Sequence, residues 1–210
     1  MIFKLVIVLL EKTSWLKLAG VAGILTPVSA FLFIGLAIAS YGQFSWTLNA
    51  LSDLGVVSGV TAPLFNFGLF LSGLLALIFS IGLFITLRES TIGKAGVGVF
   101  ILACISLLGI SLFPENMRPF HYAFSVAFFV LLPIALLVIV GYYLKMRRKG
   151  MAAFTLLVAI IAAVPWVLQF TVPYVSGVAI PEAISAAAGS VWTLVLSYKM
   201  LKQATQARSS

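Results

Sequence analysis

Six long apolar segments, separated by short polar breaks, constrain this chain more than any other feature of its sequence. A helix needs about 20 mostly apolar residues to cross the hydrocarbon core of a bilayer. The segments cover Leu16–Tyr41, Ala62–Leu87, Ala95–Phe113, Pro119–Leu144, Met151–Val172 and Pro181–Leu201. The sequence therefore predicts an all-α fold: a polytopic membrane helix bundle of six transmembrane helices, with residues 1–210 forming a single domain.

The scarcity of charge supports a membrane location. Of the 210 residues, 62% are hydrophobic and only 9% are charged, whereas a soluble domain carries about 25% charged residues. A chain with so few charges could not cover a water-exposed surface. We therefore expect lipid to cover most of the surface of the bundle.

The distribution of positive charge predicts the orientation of the helices, because cytoplasmic loops retain Lys and Arg. One basic residue, Arg118, falls on one side of the predicted bundle. The other twelve fall on the opposite side: Lys4, Lys12, Lys17, Arg88, Lys94, Lys145, Arg147, Arg148, Lys149, Lys199, Lys202 and Arg208. This predicts a cell-membrane protein with both termini in the cytoplasm. The stretch Met1–Leu10 is too short to span, so it predicts an interfacial segment and not a cleaved signal.

The first outer loop has the most informative pattern. Its segment Ser45–Gly55 reads SWTLNALSDLG. At helical spacing its apolar and polar side chains fall on opposite faces, with Leu48, Ala50, Leu51 and Leu54 on one and Asn49, Ser52 and Asp53 on the other. This predicts a short amphipathic helix on, or tucked into, the outer surface. Its polar face would either look at water or close over the helix bundle.

The polar residues of the outer side form the candidate site. Ionisable residues near a membrane are costly and often functional, and the outer side carries few but varied ones. The candidates are Asn49, Ser52, Asp53, Asn66, Glu115, Arg118, His121 and Glu182. Arg118 either forms a salt bridge with Glu115, Asp53 or Glu182, or holds an anionic group such as a lipid phosphate.

The remaining candidates also have structural alternatives. His121 lies in the first turn of the fourth predicted span, where it is either a structural hydrogen-bonding residue or a functional one. Glu182 begins the sixth span, where a carboxylate is favoured by the helix dipole, so it is either a cap or a site residue. For Asn66 and Gln169 the sequence predicts hydrogen bonds between helices.

The chain lacks the residues that several kinds of binding site and catalytic site require. With one histidine and one cysteine, Cys104, the chain cannot form a three-histidine zinc site, a Cys/His cluster or a bis-histidine haem site. It has no phosphate-binding loop and no dinucleotide fingerprint. The basic residues border apolar segments, so topology and not nucleic-acid binding explains the net charge of +8. The sequence therefore predicts no cofactor, no metal and no nucleic-acid partner.

Two stretches carry a resemblance to a known family. The sequence NALSDLG at Asn49–Gly55, followed by PLFNFG at Pro63–Gly68, resembles the Ser-Asp/Glu-Leu-Gly and Phe-Asn-Gly region of the family called domain of unknown function 998 (DUF998). Phe113 and Pro114, with His121 downstream, look like the outer-loop Phe-Pro and histidine of that family. The resemblance implies a multi-pass membrane protein of bacterial or archaeal type, with no established activity. It implies a shared site at four positions: Ser52, Asp53, Asn66 and His121.

Three functions fit these observations. The preferred one is binding or moving a lipid or small solute at the outer-leaflet polar site, with membrane lipids as partners. It requires Asp53, Arg118 and His121 to converge between helices. The second is a structural or accessory subunit, working as a homo-oligomer or in a larger membrane complex. The third and least favoured is an enzyme for a lipid-linked substrate, for which Asp53 and His121 would be the acid and base.

Overall fold

The computed structural model describes residues 2–209, with side chains for residues 12–207. All six predicted helices are confirmed: α1 (Ile2–Ala39), α2 (Thr61–Leu87), α3 (Thr91–Leu112), α4 (Phe120–Lys145), α5 (Lys149–Thr171) and α6 (Ala179–Ser209). The described residues contain no β-strand, so the all-α class is confirmed as well. Helix α1 runs without a break from Ile2. The interfacial location predicted for Met1–Leu10 depends on side chains that lie outside the described residues, so it stays a prediction.

Each of the six helices is long and apolar enough to cross a membrane. The spanning stretch is Lys12–Ala39 in α1 and Ala179–Ala207 in α6, and it is the whole helix in the other four. Large apolar side chains such as Leu32, Leu157 and Phe170 are exposed on the outside of the bundle. Burying such side chains in lipid is favourable. The chain is therefore a multi-pass membrane protein.

The helices form a closed ring. Each helix packs against the next in the chain, and α6 packs against α1 to complete the circle. Connections of three residues, 88–90 and 146–148, join α2 to α3 and α4 to α5 at the end of the bundle that also holds the termini, which we call the terminal end. The connections 40–60, 113–119 and 172–178 lie together at the opposite end, which we call the loop end.

The interior of the terminal half is filled by aromatic rings. Phe79 of α2, Phe100 of α3 and Trp192 of α6 pack with ring centroids 5.7–6.2 Å apart. Trp192 is fully buried and its indole nitrogen donates a hydrogen bond to the Thr155 hydroxyl of α5. This group ties four helices together.

The amphipathic helix predicted over Ser45–Gly55 is not present in the structure. The segment forms turns followed by a short 3-10 helix, Ser52–Val56. The physical reason is that its polar side chains hydrogen-bond the backbone in place of a helical ladder. Asn49 Oδ1 accepts from the Ser45 N–H, and Asp53 Oδ2 accepts from the Ala50 N–H, each at 2.9 Å.

Leu54 and Leu48 show how this segment is placed. Leu54 is fully buried against α2, while Leu48 is 67% exposed, although the helical pattern put both on one face. The segment is thus tucked onto the bundle through Leu51 and Leu54, with Ser52 buried beside them. Of its polar side chains, Ser52 reaches the connection 113–119, where it binds Glu115.

Close helix packing at Gly23 gives a test of the ring. A Cβ atom at Gly23 would overlap both the ring of Phe79 and the Ser197 hydroxyl. A Cβ atom at Gly35, about three turns further along α1, would meet nothing within 4 Å. We expect Gly23→Ala to lower the free energy of unfolding by roughly 1–3 kcal/mol through overpacking. Gly35→Ala should leave it unchanged or raise it by up to about 1 kcal/mol, because alanine favours helix. Reversible unfolding of the two variants in mixed micelles measures the difference, and equal stability would contradict the packing described here.

Candidate functional site

Glu115 is the centre of a polar cluster at the loop end. Its Oε2 accepts a hydrogen bond from the Ser52 hydroxyl at 2.9 Å and lies 3.3 Å from Nε2 of His121. Its Oε1 pairs with the Arg118 guanidinium at 3.0 Å. One carboxylate therefore joins the connection 40–60, the connection 113–119 and the first turn of α4. Glu115 was one of the three salt-bridge partners that the sequence predicted for Arg118.

The ring of His121 is buried and has partners at both nitrogens. Nδ1 lies 2.8 Å from the carbonyl oxygen of Phe113, which can only accept, so Nδ1 carries a hydrogen. Nε2 faces both the Glu115 carboxylate and the Ser125 hydroxyl, the latter at 3.2 Å. Nε2 therefore has two polar partners, one on the connection 113–119 and one on α4 itself.

Asp53 does not join this cluster, so the pairing of Asp53 with His121 is wrong. Asp53 Oδ2 accepts hydrogen bonds from the Asn49 amide and the Ala50 N–H, each at 2.9 Å. Both partners belong to its own connection. Asp53 and Asn49 thus shape the first connection, and Glu115, not Asp53, is the carboxylate that contacts His121.

Glu182 lies buried beneath the first connection. Its side chain is 7% exposed, and its Oε2 accepts a hydrogen bond from the Leu51 N–H. The residue was expected either to cap α6 or to take part in the site. It binds the backbone of a different connection, 131 residues away along the chain, so it anchors the first connection over the helix ring.

The connection 172–178 holds the first connection from the other side. The Gly177 N–H donates to the Thr47 carbonyl at 2.8 Å, and the Ala179 N–H donates to the Asn49 carbonyl at 2.9 Å. A Cβ atom at Gly177 would lie 2.3 Å from that Asn49 carbonyl. Only glycine allows the two backbones to approach this closely.

Asn66 and Gln169 stabilise connections and do not bridge helices as predicted. The Asn66 amide donates to the Gly55 carbonyl at 3.0 Å. The Gln169 amide donates to the Val175 carbonyl at 2.8 Å. Loop carbonyls lack the partners that helices supply, so a polar side chain one turn inside the neighbouring helix can satisfy them. Asn66 is thus close to the candidate site but is not part of the cluster around Glu115.

A groove opens beside this cluster between α4 and α5, and we call it the lateral groove. Its polar end holds Glu115, Arg118, His121 and Ser125, and its walls further along are Val126, Phe129, Val130, Trp166 and Phe170. Phe170 and Tyr122, at its rim, are 75% and 68% exposed. The groove therefore opens toward the side of the bundle that faces lipid.

A second space, the central cavity, lies inside the ring and has a volume of about 130 Å³. It is lined by α1, α2, α3, α4 and α6, with Phe100 at its lower end. The central cavity and the lateral groove share four lining residues: Ser52, Ser125, Phe129 and Glu182. Glu182 therefore lies at the junction of the two spaces.

The groove is also lined by Ser125, Phe129 and Trp166, which were not among the sequence candidates. Ser125 follows His121 by four residues, and helical spacing alone would have placed the two on one face. Phe129 follows at the same spacing and extends the same row. Trp166 could not have been found this way, because its position beside α4 depends on how α5 packs in the ring.

The electrostatics of Glu115 favour an ionised carboxylate. Partial burial raises its pKa, but hydrogen bonds from Arg118 and Ser52 and the charges of His121 and Arg118 outweigh that effect and hold the pKa below its usual value of 4.5. Within residues 12–207 no group of three or more His, Cys, Asp or Glu side chains is arranged to hold a metal. The cluster is therefore suited to charged or polar ligands.

The family model for proteins of unknown function, DUF998, matches residues 24–199. The chain therefore belongs to the DUF998 family, as the sequence motifs predicted. No curated protein and no solved structure matches it. The matched region extends from the middle of α1 nearly to the end of α6, so it includes all three connections of the loop end and both spaces described above.

The lowered pKa of Glu115 predicts how stability depends on pH. The contribution of an ionised Glu115 is fully present above its ordinary pKa of 4.5 and is lost as the pH falls through its lower pKa in the folded protein. We expect the melting temperature of the wild type in detergent to exceed that of Glu115→Gln at pH 7, and the gap to narrow when the pH is lowered to values below 4.5. The other carboxyl groups titrate in both proteins, so the gap isolates Glu115. A gap that is the same at both pH values would contradict this role.

Proposed function

We propose that this DUF998 protein binds an amphiphilic lipid in the lateral groove, with the headgroup at the Glu115 cluster and a hydrocarbon chain along α4. The observation that carries this proposal is the gradient of polarity along the groove. His121, Ser125 and Phe129 succeed one another at intervals of one helical turn on the same face of α4. The row passes from an ionisable group to a hydroxyl to an aromatic ring over about 12 Å.

The chemistry of the polar end suits an anionic headgroup. The Arg118 side chain is 77% exposed and uses one nitrogen for Glu115, so most of its five N–H donors remain for an anion such as a phosphate. Trp166 adds a second donor, because its buried indole N–H has no partner among the described residues. Buried donors are normally paired, and a lipid ester or phosphate oxygen in the groove would supply the acceptor.

The apolar walls suit a hydrocarbon chain. Val126, Val130 and Phe170 line the groove and are between 43% and 75% exposed. Since the groove opens sideways, a lipid could enter it from the bilayer without leaving its leaflet. Positive charge is concentrated at the terminal end, so by the positive-inside rule we assign that end to the cytoplasm. The lipid would then come from the outer leaflet of the cell membrane.

The proposal predicts that lipid retention depends on Arg118. We expect the purified protein to retain an anionic phospholipid in native mass spectrometry, and Arg118→Gln to weaken this binding by about tenfold, since charge-assisted contacts to phosphate contribute about 1.5–3 kcal/mol. Arg88→Gln at the terminal end is the matched control and should retain lipid as the wild type does. Trp166→Phe keeps the ring, removes the N–H, and should weaken binding by a few fold.

Equal retention by the wild type, Arg118→Gln and Trp166→Phe would overturn the proposal. A protein that folds normally and retains no lipid would instead favour the accessory-subunit function. An anionic phospholipid and a diacylglycerol of the same chain length, which has no phosphate, separate a headgroup effect from chain binding when compared in one experiment. Only the first should respond to Arg118→Gln.

The proposed orientation predicts the accessibility of single cysteines. In a background with Cys104→Ala, we expect Gln43→Cys to react with a membrane-impermeant maleimide added to intact cells. Arg148→Cys should react only after the membrane is opened. Both positions are exposed, so burial cannot account for a difference. Labelling of Arg148→Cys in intact cells would reverse the assignment.

A further inference from the structure

We propose that the central cavity is a second binding site, for an organic cation with an ammonium group and an apolar chain, whose positive charge pairs with Glu182. This site differs from the lateral groove in its charge, its walls and its position within the ring. The inference does not rest on lipid binding in the groove. It rests on a buried acid that borders an apolar, aromatic space and has no cationic partner.

Glu182 lacks a counter-charge within the part of the chain that the structure describes. Its contact there is the Leu51 N–H, which binds only Oε2. The ion pairs at the loop end, from Arg118 and His121, both go to Glu115. A carboxylate that is 93% buried with one neutral donor is costly. A cation entering the cavity would provide the missing partner.

The walls of the central cavity fit an alkylated cation. Four aromatic rings line it: Phe65, Phe100, Phe128 and Phe129. Aromatic faces attract ammonium groups, and quaternary ammonium groups are recognised in this way. Glu182 is the only acid or base of the lining besides the Cys104 thiol. The single acidic group therefore matches a single positive charge on the ligand, which would pair with the ionised carboxylate.

The hydroxyls of the cavity are engaged elsewhere and do not make it a polar site. Thr26, Ser72 and Thr193 donate to backbone carbonyls one turn earlier in their own helices. Metal cations such as Ca²⁺ need six or more oxygen ligands, and within residues 12–207 no group of three or more His, Cys, Asp or Glu side chains is arranged to hold a metal. A weakly hydrated organic cation loses less on leaving water and is compatible with the apolar walls.

The junction between the two spaces supplies a path. Ser52, Ser125, Phe129 and Glu182 border both the groove and the cavity, so a narrow chain entering from the membrane side passes Glu182. A cation on such a chain would stop at the carboxylate while the chain extends into the cavity below. The occupant is therefore an amphiphilic amine with a slender chain, and a bulky rigid cation would not fit the same path.

The test is a titration of the purified full chain, in a neutral maltoside detergent, with octyltrimethylammonium. We expect saturable binding that Glu182→Gln weakens by at least about tenfold, because it removes the negative charge and keeps the shape. Glu89→Gln is the matched control, since Glu89 is exposed at the terminal end, and it should bind as the wild type does. Octanol, which has the same chain and no charge, should not compete.

A second variant keeps the proposal testable if Glu182→Gln does not fold. Ala186 lies one turn after Glu182 and lines the cavity but not the groove. Ala186→Leu would fill the cavity without changing any charge, and we expect it to abolish octyltrimethylammonium binding. Unchanged binding in either variant, or equal competition by octanol, would overturn the proposal. Lipid retention measured on the same samples distinguishes this failure from a failure of the groove.

Discussion

The hydrogen bond between the Leu51 N–H and Glu182 is the contact on which the loop end depends. It joins the first connection to the start of α6, and these two parts of the chain meet only because α6 closes the ring against α1. With Leu51 held there, Ser52 reaches Glu115 and the short 3-10 helix lies on α2. The backbone of 172–178 then donates hydrogen bonds to the Thr47 and Asn49 carbonyls of the same segment. The roof over the central cavity is thus made of a connection that has little regular structure of its own.

The two carboxylates at this end differ in how they are satisfied, and this difference organises the two spaces. Glu115 has a hydroxyl, a guanidinium and an imidazole around it, so its charge is well supported and its neighbour Arg118 stays available at the surface. Glu182 is buried with one backbone donor. Low polarity strengthens an interaction with a charged ligand and penalises the unpaired charge. The groove therefore has an exposed guanidinium beside its carboxylate, whereas the cavity has a buried carboxyl group beside apolar walls.

Much of the candidate site could be predicted from the sequence, and the failures have definite physical causes. The polar residues of the loop end were found because ionisable groups stand out in an apolar chain. The pairing of Arg118 with Glu115 is a contact between near neighbours and was among the expected alternatives. The expected pairing of Asp53 with His121 was wrong because Asp53 binds the backbone of its own connection. The prediction of an amphipathic helix was wrong for the same reason. Asn49 and Asp53 accept hydrogen bonds from backbone N–H groups of their own segment, and the helical spacing of Leu48 and Leu54 gives no information about those bonds.

The sequence by itself determined the number of helices, most of their bounds, and the side of the bundle on which each polar residue lies. These properties follow from the length and composition of contiguous segments, because a backbone in lipid must satisfy its own hydrogen bonds. Only the tertiary structure decided that Glu182 binds Leu51, that Trp166 lies beside α4, and that the groove and the cavity meet at Glu182. Those contacts join residues far apart in the chain, so they depend on the order of helices around the ring and on the depth at which each connection settles. Apolar segments of similar composition do not encode that order in any local pattern.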